Sequence, residues 1–253
     1  MPSTTFHVDA VLFDMDGTLV DSTAGVEGAW EVFRQTYPSI DIHEVLSSAH
    51  GVRTVDNLRI HCGVTDPDEL EIEAERFETA IVTSAAANGK QGIVLLPGVA
   101  RNFAEITPGH KLPNPSWAIC TSATRKYATA ALGIAGVTIP DVLVVAEDVE
   151  KGKPAPDPYV LGAKKCGVKP ENCEDLRVDR AGSNPNFILQ GVVFEDTPAG
   201  IRSGKAAGCK TIGFLTTHSK ELMEAVQPDF LIPNMDRLVA LIHCSTVVLT
   251  SSV

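Results

Sequence analysis

The stretch Val11-Leu12-Phe13-Asp14-Met15-Asp16-Gly17-Thr18-Leu19-Val20-Asp21-Ser22 decides how this chain is read. Three apolar residues run into two carboxylates two positions apart, and Gly-Thr then turns the chain away. A short apolar run bounded by turn residues is the pattern of a strand buried on both faces of a parallel sheet. Such sheets bind ligands at the carboxyl ends of their strands, where Asp14 and Asp16 both stand. A bare D-x-D after a strand is as readily a loop with a helix cap. The full string D-M-D-G-T-L after an apolar run is far more specific.

Working outward, similar runs recur at Trp117 to Cys120, Val142 to Val145, Val192 to Phe194, Thr211 to Phe214 and Phe230 to Ile232. With Ala10 to Phe13 they make six predicted strands. Helical stretches lie between them, among them Thr124 to Ala131, Pro158 to Cys166 and Ala199 to Ala207. Strand alternating with helix predicts an α/β fold, a doubly wound parallel sheet with helices on both faces. The segment from Thr23 to Val94 breaks the alternation. Val26 to Tyr37, Val52 to His61 and Pro67 to Ala87 have helical spacing and many charges, and no convincing strand is present. The predicted organisation is a core of residues 1–22 and 95–253 with a helical cap subdomain, 23–94, inserted after the first strand. Its hinges would lie at the turn after Asp16-Gly17 and at Leu96-Pro97-Gly98. Pro170 to Gln190, rich in Asn, Pro, Asp and Gly, reads as a long surface loop. The tail from Leu238, apolar and then rich in Ser and Thr, has the makings of an edge strand without an assigned place.

Composition narrows the classes of function. With 253 residues and 44% hydrophobic content, the chain can bury about three quarters of its unfolded surface and needs no covalent staples. A net charge of −11 without any basic run argues against a nucleic-acid partner, which requires clustered Lys and Arg. An acidic chain can still take a phosphorylated metabolite where a metal and local cations offset repulsion. The six cysteines form no C-x-x-C pair and have no zinc-ligand spacing with histidine; Cys120 reads as a small core residue. The start lacks the basic and apolar regions of a secretory signal, and no apolar run nears eighteen residues. A cytoplasmic protein with no membrane partner is expected.

Three further pieces follow the first in order, each at the end of a predicted strand. Trp117-Ala-Ile-Cys-Thr-Ser-Ala-Thr-Arg125 places Thr121 and Ser122 where a hydroxyl and a backbone N–H can hold a phosphoryl oxygen; alone, Thr121 would be an ordinary helix cap. Lys153, in Glu150-Lys-Gly-Lys-Pro-Ala-Pro-Asp-Pro-Tyr159, is followed by prolines that stiffen the chain and aim its ammonium. An isolated lysine is nearly always a solvated surface residue; the context lifts this one. Glu195 and Asp196 end the run Val192-Val-Phe-Glu-Asp-Thr-Pro-Ala-Gly-Ile201, where buried carboxylates are costly unless a cation is near. Two carboxylates here and two at Asp14 and Asp16 make an oxygen-lined site that suits Mg²⁺ better than zinc.

Together, and in this order, these pieces resemble the haloacid dehalogenase superfamily from about Asp9 to Asp229. The resemblance implies that Asp14 attacks phosphorus to form an aspartyl-phosphate, while Asp16 protonates the leaving oxygen and later activates water. It implies that Thr121 and Lys153 bind phosphoryl oxygens, and that Mg²⁺ is held by Asp14, the Asp16 carbonyl and Asp196, with Glu195 acting through water. An anionic nucleophile must approach an anionic phosphate, so a divalent cation and Lys153 are physically apt.

Within that family the dehalogenase and phosphonate-cleaving branches fit poorly, since the first needs no metal carboxylates and the second lacks an acid at the Asp16 position. Sugar phosphomutases keep all four motifs, but their hexose-phosphate members carry His twelve residues past the nucleophile, where this chain has Val26. Closer similarity is to the fungal glycerol-phosphate and deoxyglucose-phosphate phosphatases. It is carried by Ala49-His-Gly-Val-Arg-Thr54, residues 117–125, residues 148–159 and residues 194–209. The expected activity is hydrolysis of a small sugar or polyol phosphate by a monomer or small homo-oligomer. His50 and Arg53 are the expected substrate contacts from the cap, Arg53 as its main cation; each is alternatively a surface-helix residue. A non-catalytic phosphometabolite-binding protein is the rival of another class. Loss of Asp14, Asp16, Lys153 or Asp196 would favour it, and all four are present.

Overall fold

The computed structural model describes residues 3–87, 92–107, 115–168, 191–239 and 246–250. The chain opens with β1 (Ser3–His7), β2 (Ala10–Phe13) and β3 (Val20–Asp21). Four helices follow: α1 (Thr23–Thr36), α2 (Ile42–Ser48), α3 (Thr54–Cys62) and α4 (Pro67–Ala85). Then come β4 (Val94–Leu95), α5 (Val99–Ile106), β5 (Trp117–Cys120), α6 (Arg125–Ala135), β6 (Leu143–Val144) and α7 (Asp157–Lys165). The remainder is β7 (Gly191–Glu195), α8 (Pro198–Ala206), β8 (Lys210–Phe214), α9 (Lys220–Ala225), β9 (Phe230–Ile232), β10 (Leu238–Val239) and β11 (Thr246–Thr250).

Six parallel strands form the main sheet in the order β6-β5-β2-β7-β8-β9. All six predicted strands are present, and the fold is the expected α/β doubly wound one. The sequence of β2 explains its central place. Alternate residues of a strand point to opposite faces, and here both faces are apolar and buried. Val11 and Phe13 join one core layer, Ala10 and Leu12 the other. Phe13 stacks on Phe194 with centroids 5.0 Å apart and meets Phe103 of α5 at 5.2 Å. Burial of one such ring is worth roughly 1.5–3 kcal/mol. On the other face Leu12 and Cys120 pack with Tyr159 and Ala163 of α7. The chain leaves β2 toward β5 on one side and returns to β7 on the other. That reversal puts a crevice at the carboxyl end of β2.

Of the four helices between β3 and β4, α1 and α4 pack on one another through an aromatic cluster. Trp30 and Phe33 of α1 meet Phe77 of α4 at centroid distances of 4.4 and 4.9 Å. Asp66 accepts from the Asp68 and Glu69 N–H groups and Pro67 opens α4, a strong start signal. The short α2, capped in the same way by Asp41, was not foreseen. Where two hinges were predicted, β3 and β4 pair antiparallel, Val20 with Leu95 and Asp21 with Val94. The tail does not extend the main sheet. β11 lies between β1 and β10 in a separate antiparallel sheet. The loop expected at Pro170 to Gln190 lies outside the described residues. Among those described, no helix is long and apolar enough to cross a membrane.

Candidate active site

Asp14 leaves β2 at the crevice and is 4% exposed. Its Oδ1 accepts from the Lys153 ammonium, which also donates to Glu195 Oε1 at 2.7 Å and lies 5.0 Å from the centre of the Tyr159 ring. Residues 139 positions apart in the chain thus make one buried ion pair. Burial pushes the Asp14 carboxyl from its ordinary 3.8 up to about 7, with Lys153 pulling it down and Glu195 adding to the rise. Burial alone would depress the Lys153 ammonium, but Asp14 and Glu195 outweigh it and hold the group above its ordinary value.

Glu195 is fully buried and all its acceptor capacity is spoken for. Oε1 accepts from Lys153 and the Tyr159 hydroxyl; Oε2 accepts from the Asp196 and Thr197 N–H groups and the Thr197 hydroxyl. Asp196 accepts from Thr18 at 3.0 Å and from the Thr217 hydroxyl. Burial, then Glu195 and Asp14, raise its carboxyl well above the ordinary range. Gly17 makes this approach possible. Its φ is +81°, and a Cβ there would stand 2.2 Å from Asp196 Oδ2. Asp14, Glu195 and Asp196 bring carboxylate oxygens within 4.8 Å of one another, those of Asp14 and Asp196 being the ones with capacity for an ion. Three buried carboxylates with one ammonium between them fit a divalent cation, and the donors, all oxygen, fit Mg²⁺.

Asp16 has a different setting. Ser22 and Tyr127 hydroxyls both donate to its Oδ1, at 2.6 and 2.9 Å. Burial raises its carboxyl, while those two hydrogen bonds pull it down. Thr121 follows β5, and its hydroxyl accepts from the Ala123 N–H at 3.1 Å. The next side chain, Ser122, donates to the Gly51 carbonyl at 2.8 Å, a bond between the core and the helical insertion. Gly51 has φ +78°, and a Cβ there would meet Thr197 Oγ1 at 2.4 Å. Only glycine lets this turn press so closely on the core.

Asp14, Asp16, Thr121, Ser122 and His50 line one cavity of about 80 Å³ beneath the insertion. His50 is half-buried there, 6.1 Å from the His218 ring, and burial lowers its imidazole. Arg53 is placed elsewhere. Its guanidinium donates to Asp56 at 2.8 Å and to the Glu150 carbonyl at 3.1 Å, and its stem lies over Gly152. It borders a second cavity at the seam between α4 and α6. Its contact with the Glu150 carbonyl ties the insertion to the core. Its partner Asp56 is three residues away in the sequence, whereas the Glu150 carbonyl, 97 positions away, has no local signal.

The residues 8–173 match the haloacid dehalogenase-like hydrolase family. This chain belongs to that family. The chain is 37% identical over 201 residues to hexitol phosphatase A of Escherichia coli, covering 79% of this chain and 80% of that protein. It is 30% identical over 242 residues to glycerol-1-phosphate phosphohydrolase 1 of Saccharomyces cerevisiae, covering 94% of this chain and 88% of the other. Among solved structures, a hydrolase from Pseudomonas syringae shares the fold with a TM-score of 0.68 at 20% identity, over 90% of this chain and 94% of that one. Phosphatase is accordingly the enzyme class of this haloacid dehalogenase-like hydrolase.

Tyr127, Ser22, Tyr159, Thr217 and Glu78 complete the site and were not singled out from sequence. For Glu78 a signal existed. α4 buries Leu70, Ala74, Phe77, Ile81 and Ala85, and Glu78 stands four residues after Ala74 and three before Ile81, on that same face.

Proposed function

We propose that the protein hydrolyses a small sugar or polyol phosphate through an aspartyl-phosphate on Asp14, with Mg²⁺ as cofactor. The observation that carries this is the buried Asp14–Lys153 pair beside Asp196, at the strand end where the cavity opens. Asp14, the main-chain carbonyl of Asp16 and Asp196 would hold the ion. When bound, it would offset the phosphoryl charge and let an anionic carboxylate approach it. Glu195, with both oxygens occupied, serves the site by holding Lys153.

A carboxylate oxygen of Asp14 attacks phosphorus as the bond from phosphorus to the leaving oxygen breaks. Lys153 and the Thr121 hydroxyl hold the phosphoryl oxygens in line. Asp16, protonated, gives its proton to the departing alkoxide, which leaves as the alcohol. Both neighbouring hydroxyls occupy Oδ1, so Oδ2 carries that proton. Asp16, now ionised, takes a proton from water as the water attacks phosphorus. Inorganic phosphate departs and the Asp14 carboxylate is restored.

The helical insertion, 23–94, acts as a cap that excludes bulk water in the first step and admits one water in the second. Its contacts with the core, Ser122 to Gly51 and Arg53 to Glu150, support the closed form. Release of inorganic phosphate should be assayed across glycerol phosphate, hexitol phosphates, deoxyhexose and hexose 6-phosphates and nucleotides. Turnover of the polyol and sugar esters, abolished in Asp14→Asn, is expected. Absence of turnover on every ester, or a requirement for a bisphosphate activator, would overturn the reading.

A further inference from the structure

Beyond the reacting carboxylates and the core residues Thr121, Ser122, Ala123 and Tyr127, the cavity wall belongs to the insertion, and its chemistry is uneven. Trp30, Phe77 and Ile81 make it apolar on one side, while Thr54, Asn57 and Glu78 bring polar groups to the other. None of the described residues lining the cavity is Lys or Arg. Arg53 is held by Asp56 and the Glu150 carbonyl outside it.

His50 also lines this wall, and burial lowers its imidazole; the charge on the wall is therefore that of Glu78, which is only 4% exposed. Its carboxylate accepts from the Thr54 hydroxyl at 3.0 Å, the Thr124 N–H at 3.1 Å and the Thr124 hydroxyl. Burial raises the Glu78 carboxyl above its ordinary value, while the hydrogen bonds from Thr124 and Thr54 pull it back down. Thr124 is also the N-cap of α6, so the carboxylate stands at the positive end of an 11-residue helix, a place that favours the ionised form. A carboxylate has about four acceptor positions. Three donors occupy it, which leaves capacity for one hydroxyl entering the cavity.

We propose that Glu78 selects the leaving group, accepting a hydroxyl of a neutral polyol or sugar tail and rejecting tails that carry a carboxylate or a second phosphate. This rests on the hydrolase reading of Asp14 and narrows its substrate class. A tail anion would be desolvated against a buried carboxylate with no cation beside it. Like charges about 6 Å apart at an effective dielectric of about 20 repel enough to lower kcat/KM about a hundredfold. The apolar side formed by Trp30, Phe77 and Ile81 gives the carbon chain its surface without adding charge.

A matched pair of substrates isolates the effect. Glycerol 3-phosphate and 3-phosphoglycerate have the same length and differ at the far end, hydroxymethyl against carboxylate. Wild-type enzyme with Mg²⁺ should favour the neutral ester in kcat/KM by about a hundredfold. Glu78→Gln keeps the size of the side chain and an acceptor oxygen for the α6 N-terminus. It should shrink that preference to about tenfold or less, chiefly by raising kcat/KM on 3-phosphoglycerate. Equal losses on both substrates would reduce Glu78 to a fastener between α4 and α6 and overturn the proposal. So would wild-type enzyme that hydrolyses both equally, a result independent of how any variant folds. If the wild type released no phosphate from any monoester, the hydrolase reading would fall and the proposal with it. Turnover that Asp14→Asn abolishes, with a preference insensitive to Glu78→Gln, would sink the selection proposal alone.

Discussion

Replacing Lys153 by methionine removes one positive charge from the centre of the buried acidic cluster while keeping an unbranched side chain. The ammonium it deletes touches both Asp14 and Glu195 and is shielded from solvent. Two unit charges about 4 Å apart repel by ~4 kcal/mol at an effective dielectric of 20, so loss of this counter-charge should lower kcat about a thousandfold. Stability should change too, because breaking a buried pair leaves an uncompensated charge, at a cost of about 3–5 kcal/mol. For a chain of this length that is a fall in Tm on the order of 10 °C.

The pH dependence separates this from a simple packing defect. The folded-state pKa of Asp14 is raised from 3.8 to about 7. A carboxyl raised on folding favours the folded state while protonated, and that benefit is lost as pH rises through the folded value. Lys153, held above its ordinary value, is charged throughout this window and offsets part of the loss. Without it, the deficit of metal-free Lys153→Met against wild type should be smaller near pH 5, where Asp14 is protonated, and should grow toward pH 8. Adding Asp14→Asn to the variant should restore most of the stability, since one of the two stranded carboxylates is then neutral. Thermal unfolding of wild type, Lys153→Met, Asp14→Asn and the double variant at pH 5 and pH 8, alongside phosphate release, measures all of this. A deficit equal at both pH values, or a double variant no more stable than Lys153→Met, would refute the electrostatic account.

Chelation of divalent cations should stop turnover and Mg²⁺ restore it, whereas Ca²⁺ should inhibit because its looser coordination lets Asp14 bind through both oxygens. The same carboxylates make cation binding compete with protons, so Mg²⁺ should raise Tm more at pH 8 than at pH 5; an equal shift at both would argue against the Asp14 and Asp196 site. Tyr127→Phe removes a hydrogen bond that lowers the Asp16 pKa, and should therefore move the alkaline limb of the kcat/KM profile to higher pH. A shift to lower pH, or none, would deny Asp16 its part as the acid.

How far the sequence could be read depended on how local each signal was. Asp14 and Thr121 each follow an uninterrupted apolar strand and Glu195-Asp196 follow the apolar run Val192 to Phe194, and strand ends on one edge of a parallel sheet converge whatever the connections do. Lys153 was legible through its proline context, although its pairing with both Asp14 and Glu195 was not. Arg53 shows the limit. Its neighbours in sequence suggest a cation facing the substrate, but a salt bridge three residues on and a carbonyl at Glu150 turn it to the seam. Glu78 was obscured by its neighbours Glu69, Glu71, Glu73 and Glu75, which make α4 look solvated on every side; only its register with Ala74 and Ile81 sets it apart. The pairing of β11 with β1 joins the two ends of the chain, a long-range contact with no local signature.

The central claim is that Asp14 carries the phosphoryl group. It is tested most directly by quenching the enzyme during turnover with borohydride, which reduces an acyl phosphate, and mapping the product by mass spectrometry. The account predicts conversion of Asp14 to homoserine in the peptide spanning 11–22, dependent on substrate and Mg²⁺. An unmodified Asp14 under conditions of full turnover, or the modification at another carboxylate, would contradict it.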